Sequence, residues 1–118
     1  MAASSFKDLI VWQKAFDLAE QIYLKTDKLP PQEKFALTSQ IQRSAVSICS
    51  NIAEGYERNN RGEYVHFLGI ARGSSAELEA QLLLAQKIYR IDFKQELALL
   101  TEVQKLLWAF KQKLAPQP

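Results

Sequence analysis

Glu63-Tyr64-Val65-His66 is the one place in this 118-residue chain where a carboxylate and an imidazole share a helix-face spacing. E-x-x-H is how di-iron bundles hold metal, but such a centre needs two copies of the motif and two further glutamates. The chain has a single histidine, so even a dimer would have to gather four carboxylates around one axis. Glu63 is also explained without metal, because Asn60 and Glu63 are spaced as the asparagine version of a capping box. The same histidine shortage removes Ser-His-Asp and Cys-His schemes. Cys49, the single cysteine, stands in the apolar run VSICSNI and reads as a small buried hydrophobe. Phosphate loops, paired-cysteine metal sites and dinucleotide fingerprints are all absent from the sequence. The chain therefore reads as a non-enzyme, with no catalytic residue, cofactor or metal expected.

Other polar residues are arranged for binding and packing. Gln40, Ser44, Ser47, Asn51, Glu54 and Arg58 recur at helical spacing and make one polar stripe. Ser74, Glu77 and Gln81 make a second, shorter one. Serine and asparagine are poor choices for an exposed helix interior. A polar network joining Ser47, Asn51 and Glu54 to Ser74 and Glu77 across two packed helices would account for them. Four of the five arginines, Arg43, Arg58, Arg61 and Arg72, fall within 30 residues. Arg58 and Arg61 bracket a turn with Tyr56, Asn59 and Asn60, a set suited to contacting phosphates and stacking on a base. Glu54, Glu57 and Glu63 lie among them, so the alternative is a salt-bridged, solvated turn.

Helices must position these groups. Ser5 and Asp8 are spaced as a capping pair, and Leu9, Trp12, Phe16, Ala19, Tyr23 and Thr26 form an amphipathic stripe after them. DKLPPQEK breaks that helix, and Pro31 with Glu33 suits the first turn of the next. Its apolar face is Thr38, Ile41, Ala45, Ile48, Ile52 and Gly55. A third helix carries Tyr64, Phe67, Ala71, Ser75, Leu78, Leu82, Ala85 and Tyr89 in one stripe. Asp92 with Gln95 opens a fourth, striped by Phe93, Leu100, Val103, Leu107, Phe110 and Leu114. The expected helices cover about residues 6–27, 31–58, 61–90 and 93–113 of a single domain, 1–118. No stretch alternates as a strand would. Short connections between long helices make antiparallel neighbours, so the expected fold is an all-α, up-down four-helix bundle.

Two features exceed what one bundle needs. All four glycines, Gly55, Gly62, Gly69 and Gly73, fall within 19 residues, and the last two lie one turn apart inside a helix. Each costs about 0.8–1.0 kcal/mol relative to alanine, so a compensating contact is expected. A groove of Gly69, Gly73, Ala76 and Ala80 would admit another helix backbone, either within the bundle or at a seam between subunits. Apolar residues also recur off the main stripes: Val11 and Leu18, the run Leu82-Leu83-Leu84, then Leu99, Leu106 and Trp108. In water they would form a patch larger than monomers usually carry, and self-association is the simplest remedy.

Composition bounds the rest. A chain of this length buries about two thirds of its unfolded surface in one core. Fifteen basic and thirteen acidic residues give a net charge of +2, so the whole protein is no polycation. A lone cysteine points to a reducing compartment, and no apolar run reaches signal-peptide or membrane-spanning length, so a cytoplasmic protein without a membrane partner is expected.

Several of these residues together resemble a known family. Asp8-Leu9, Val11-Trp12-Gln13-Lys14-Ala15, Tyr23, Thr26, Pro30 and Glu33 resemble its opening signature. Gln40, Arg43, Ala45, Ser47-Ile48, Asn51-Ile52-Ala53-Glu54-Gly55 and Arg58 resemble its second-helix signature. Phe67-Leu68, Ala71, Gly73-Ser74 and Glu77-Leu78-Glu79 resemble the third. The family is the 23S rRNA-intervening sequence proteins, encoded in insertions within bacterial ribosomal RNA genes and elsewhere in bacterial genomes. The resemblance spans about residues 6–112, and Cys49 stands where the family often has proline. It implies a bundle that assembles as a ring, a homopentamer. The family is similar to the accessory variability determinant of diversity-generating retroelements, a basic pentamer that binds nucleic acid and a reverse transcriptase, whereas this chain is close to neutral. The resulting expectation is a homo-oligomeric scaffold or adaptor that engages RNA through the Arg58–Arg61 turn. The alternatives are an adaptor for a protein partner, using the surplus leucines and Trp108, and a metal-dependent oxidase.

Overall fold

The computed structural model describes residues 4–114 and contains four α-helices, α1 (Ile10–Lys25), α2 (Leu37–Tyr56), α3 (Arg61–Tyr89) and α4 (Lys94–Leu114). No strand occurs among the described residues. In the four-helix bundle α1 packs on α2 and α4, and α3 packs on the same two helices. The molecule measures 45 × 28 × 23 Å, its length being that of α3. No helix among the described residues is long and apolar enough to cross a membrane.

Caps and turns explain where these helices start and stop. The first expected helix begins four residues later than its signals suggest, because Ser5 Oγ accepts the Lys7 amide (3.1 Å) and closes only a 3-10 turn, Phe6–Asp8. Asp8 accepts from the Ser4 amide and hydroxyl rather than from Ser5. Leu9 is then extended (φ −74°, ψ 126°), and α1 starts after it. At its other end Thr26–Lys28 tightens into a 3-10 turn, and Leu29 leads into Pro30. Pro31 does open a helical turn, but a 3-10 one that ends at Glu33, and Ala36 resets the backbone before α2. The α2 amide at Leu37 is accepted by Glu33 Oε1 at 3.3 Å. The other Glu33 oxygen accepts the Tyr89 hydroxyl, which ties the start of α2 to the end of α3. Asn60 caps α3 by accepting the Glu63 amide at 2.8 Å. The left-handed residue after α3 is Arg90 (φ 57°), and Asp92 Oδ1 accepts the Lys94 amide (2.8 Å) where α4 begins.

Buried stripes on α2, α3 and α4 coincide with the periodic apolar positions: Ile41, Ala45, Ile48 and Ile52; Ala71, Leu78, Leu82 and Ala85; Phe93, Leu100, Val103 and Leu107. On α1 the expected stripe holds in part, since Ala19 and Thr26 are buried and Leu9 and Trp12 pack against the core, but the centre of the buried face is displaced from it. Val11 and Leu18, which appear surplus in sequence, are core residues with Ala15 and Ile22, whereas Phe16 and Tyr23 are 53% and 49% exposed. Both sets repeat at steps of three and four, so periodicity fits either. The aliphatic set fits the narrow space between neighbouring helix axes, and the bulkier aromatic set is turned outward. Elsewhere Leu82 is buried, Leu83 and Leu84 are about half exposed, and Leu99 and Leu106 pack partly against the core.

Glycine placement differs from expectation in the same instructive way. Gly69 and Gly73 have nothing within 4 Å of where a Cβ would sit, so they are not a close-packing seam inside the bundle. The tight glycine is Gly55, which is buried on α2. A Cβ there would lie 2.9 Å from Phe67 Cβ and 3.0 Å from Tyr64 Cδ1 of α3. Gly55→Ala is therefore expected to destabilise the fold by about 1–3 kcal/mol in urea unfolding despite alanine's better helix propensity. Beside it, Tyr64 packs edge-on against Tyr56 and Phe110, and its hydroxyl is buried without a hydrogen-bond partner. Burial, with Tyr56 a smaller contributor, pushes its pKa from 10.0 up to about 12. Because the folded pKa lies above the unfolded one, this stabilising contribution is complete below pH 10 and is lost as pH rises toward 12. Tyr64→Phe should flatten that alkaline loss in pH-dependent denaturation, with little cost at neutral pH because no hydrogen bond is removed.

Candidate functional site

Two grooves flank α2. Toward α3 lies a polar one of about 350 Å³. Its α2 wall is Gln40, Arg43, Ser44 and Ser47, and its α3 wall is Ser74, Glu77 and Gln81. The polar stripes face each other because successive members lie three, four or seven residues apart and so stay on one side of each helix. Ser44 and Ser74 are buried at the floor. The Ser47 and Ser74 hydroxyls are hydrogen-bonded across the helices at 2.8 Å. Asn51 Nδ2 donates to the Ser47 carbonyl (2.8 Å) and hydroxyl (3.0 Å), which holds the serine in place. Glu54 instead faces Arg58 at 3.6 Å, one turn farther along α2. Thus Ser47, Asn51 and Ser74 are bonded together, Glu77 lines the same groove, and Glu54 stands outside it.

Toward α1 lies an apolar groove of about 520 Å³. Trp12, Phe16 and Tyr23 form one wall, with Val46, Cys49 and Ala53 of α2 opposite. Trp12 stacks on Phe16 at 4.7 Å between centroids and meets Phe6 edge-on at 5.1 Å. Sequence reasoning placed these aromatics in the core. Trp12 does pack against the core in part, and the signal that Phe16 and Tyr23 do not is the second stripe, Val11, Ala15, Leu18 and Ile22, which fills the interior without them. Cys49 reaches this groove from α2, donates to the Val46 carbonyl (3.4 Å) and has its thiol pKa raised, chiefly by burial. It lies inside the continuous α2, with an amide that proline would lack.

The other singled-out residues are dispersed. Arg43 lines the polar groove. Arg58 lies over the Phe67 ring at 4.8 Å and near Glu54, and Arg61 is exposed at the first turn of α3. Arg72 lies over Trp108 of α4 at 4.8 Å. Two residues separate Arg72 from Ser74, about 200° of helix rotation, so Arg72 is on the far side of α3 from the polar groove. Arg43 and Arg72 thus lie away from the turn, whereas Arg58 and Arg61 stay together at it. Glu63 and His66 are exposed, and no group of three or more His, Cys, Asp or Glu residues placed to hold a metal occurs among the described residues. Gly69, Gly73, Ala76 and Ala80 lie together on α3, directly opposite its buried Ala71–Leu78–Leu82 stripe.

This bundle and its NIAEG-bearing second helix match a family model, described as 23S rRNA-intervening sequence protein, over residues 7–109. The chain belongs to that family. A solved structure from the same group, a protein of unknown function of the S23 ribosomal protein family from Bacteroides thetaiotaomicron, superimposes with a TM-score of 0.77 and 29% identity. The match covers 86% of this chain and 98% of the other. No curated protein matches. Neither the family description nor the neighbour's names a reaction.

The Ser47–Ser74 contact generates a prediction. Ser47→Ala and Ser74→Ala should each cost about 1 kcal/mol in thermal or urea unfolding. The double variant should cost less than the sum, because one bond is lost in all three.

Proposed function

We propose that this chain is a non-enzymatic scaffold or adaptor that works as a homo-oligomeric ring. The observation that carries this reading is the exposed aromatic edge of α1, Phe16 and Tyr23, which with the partly buried Trp12 walls an apolar groove that a solitary bundle leaves open to water. The smooth back of α3, with Gly69 and Gly73 open, supplies a surface on which such a ridge of another copy can lie closely. α1 and α3 are diagonal in the bundle, so groove and smooth face lie on different sides of one subunit. Pairing one with the other is a head-to-tail contact, the kind that closes into rings. The family resemblance supplies five as the expected subunit number. A cytoplasmic setting agrees with the single buried thiol.

Other readings have less support. Nucleic-acid binding would need a shared basic surface, and Arg43 and Arg72 lie away from the Arg58–Arg61 turn, where Arg58 is engaged by Phe67 and faces Glu54. A partner groove on α4 is reduced because Leu99 and Leu106 pack onto the core and Arg72 caps Trp108.

The experiment is a solution-mass measurement by light scattering at micromolar concentration. A mass several times 13.5 kDa is expected, and Phe16→Glu, at an exposed position, should lower it toward the monomer while leaving helical content intact. A wild-type monomer, or an assembly indifferent to Phe16→Glu and to bulky substitution at Gly73, overturns the reading.

A further inference from the structure

The polar groove between α2 and α3 has properties that helix packing does not require. Starting from the Ser47–Ser74 bond and moving four residues back on α2 and three forward on α3 reaches Arg43 and Glu77, at nearly the same height. Seven residues from the bond on each helix are Gln40 and Gln81, level again. The groove is therefore a short ladder: a guanidinium opposite a carboxylate, then two amides, closed at one end by a pair of hydroxyls. Among the described residues neither Arg43 nor Glu77 takes part in an ion pair, although they line the same cleft. Gln81 Oε1 is buried and receives no donor. Buried acceptors are ordinarily satisfied, so the Gln81 amide gains a partner for this oxygen by turning it into the groove toward an incoming N–H.

We infer that this groove is a binding site for a small zwitterion of the amino-acid class. Arg43 takes the carboxylate, for which its planar fork is suited. Glu77 takes the ammonium, whose three donors need acceptors only, and the Gln81 oxygen joins it once that side chain turns into the groove. The Ser47–Ser74 hydroxyls, with two lone pairs each, orient what lies at the closed end. One positive and one negative side chain leave the lining neutral, which favours a ligand carrying both charges over a simple anion or cation. A volume of about 350 Å³ accommodates such a molecule with some of its water. This site lies on the opposite flank of α2 from the aromatic groove, and its α3 wall borders the face that Gly73 and Ala80 offer to another copy.

The test uses the full chain and a mixture of L-amino acids at millimolar concentration as the probe, read by saturation-transfer NMR. Transfer to at least one amino acid is expected. Its affinity should fall about tenfold or more in Arg43→Ala and in Glu77→Gln and be unchanged in Arg58→Ala. Acetate alone and methylammonium alone should compete at least about tenfold more weakly than the amino acid, since each engages one charge. Both substitutions are at exposed side chains, and circular dichroism confirms that the variants are folded. Absence of transfer from every amino acid overturns the inference, as does transfer insensitive to both substitutions. A change of subunit mass in Arg43→Ala or Glu77→Gln also overturns it, because the groove would then be a contact between copies. A monomeric wild type that still binds would overturn the ring alone.

Discussion

The close approach of α2 and α3 governs the rest of this molecule. Near the turn it requires Gly55, because the Phe67 and Tyr64 side chains occupy the space a Cβ would need. Halfway along, the Ser47–Ser74 bond fixes which residue of one helix stands beside which residue of the other. Those two constraints act on different variables: the glycine sets distance and the hydroxyl pair sets register. Hydrophobic burial supplies most of the driving force, but leucine against isoleucine tolerates sliding, and a buried hydrogen bond does not. The facing polar rows of the α2–α3 groove are a product of that register.

The outer surface follows from how α1 divides its apolar residues. It carries two stripes and can bury only one between α2 and α4. The aliphatic stripe goes inward because a four-helix interior is filled by side chains of that bulk at ordinary interaxial spacing. Phe16 and Tyr23 remain outside, with Phe16 stacked on the partly buried Trp12 and Cys49 from the neighbouring helix lining the same groove. Salt bridges do little to offset this exposure. Lys14–Glu102 is at the surface, and only Lys25–Glu96 reaches a buried carboxylate, at 3.7 Å.

Much of the architecture is legible in the residues alone, and the failures have physical causes. Stripes on α2, α3 and α4 are unambiguous because each helix has one apolar series of sufficient length. On α1 two series are equally periodic, and their choice depends on interior volume, which no single-helix pattern contains. Gly55 reads as a helix-end glycine, since its need is created by Phe67, twelve residues later. The serine and asparagine rows are readable by residue type, because such residues weaken an exposed helix. Their pairing across the groove requires knowing the relative height of two helices. The spread of the arginines is not legible either, because Arg43 lies on α2, Arg58 and Arg61 flank the turn, and Arg72 lies along α3 over Trp108. Helix starts shift by a few residues where a 3-10 turn takes the capping signals for itself, as at Ser5 and Pro31.

The partition made by α2 has an evolutionary corollary. One flank of this helix presents hydroxyls, amides and charge to α3, and the other presents valine, cysteine and alanine to α1, with the isoleucines between. The two linings share no residue, so a substitution in one groove leaves the make-up of the other unchanged. Lineages built on this helix can thus diverge in chemistry on one side while retaining the shape of the other.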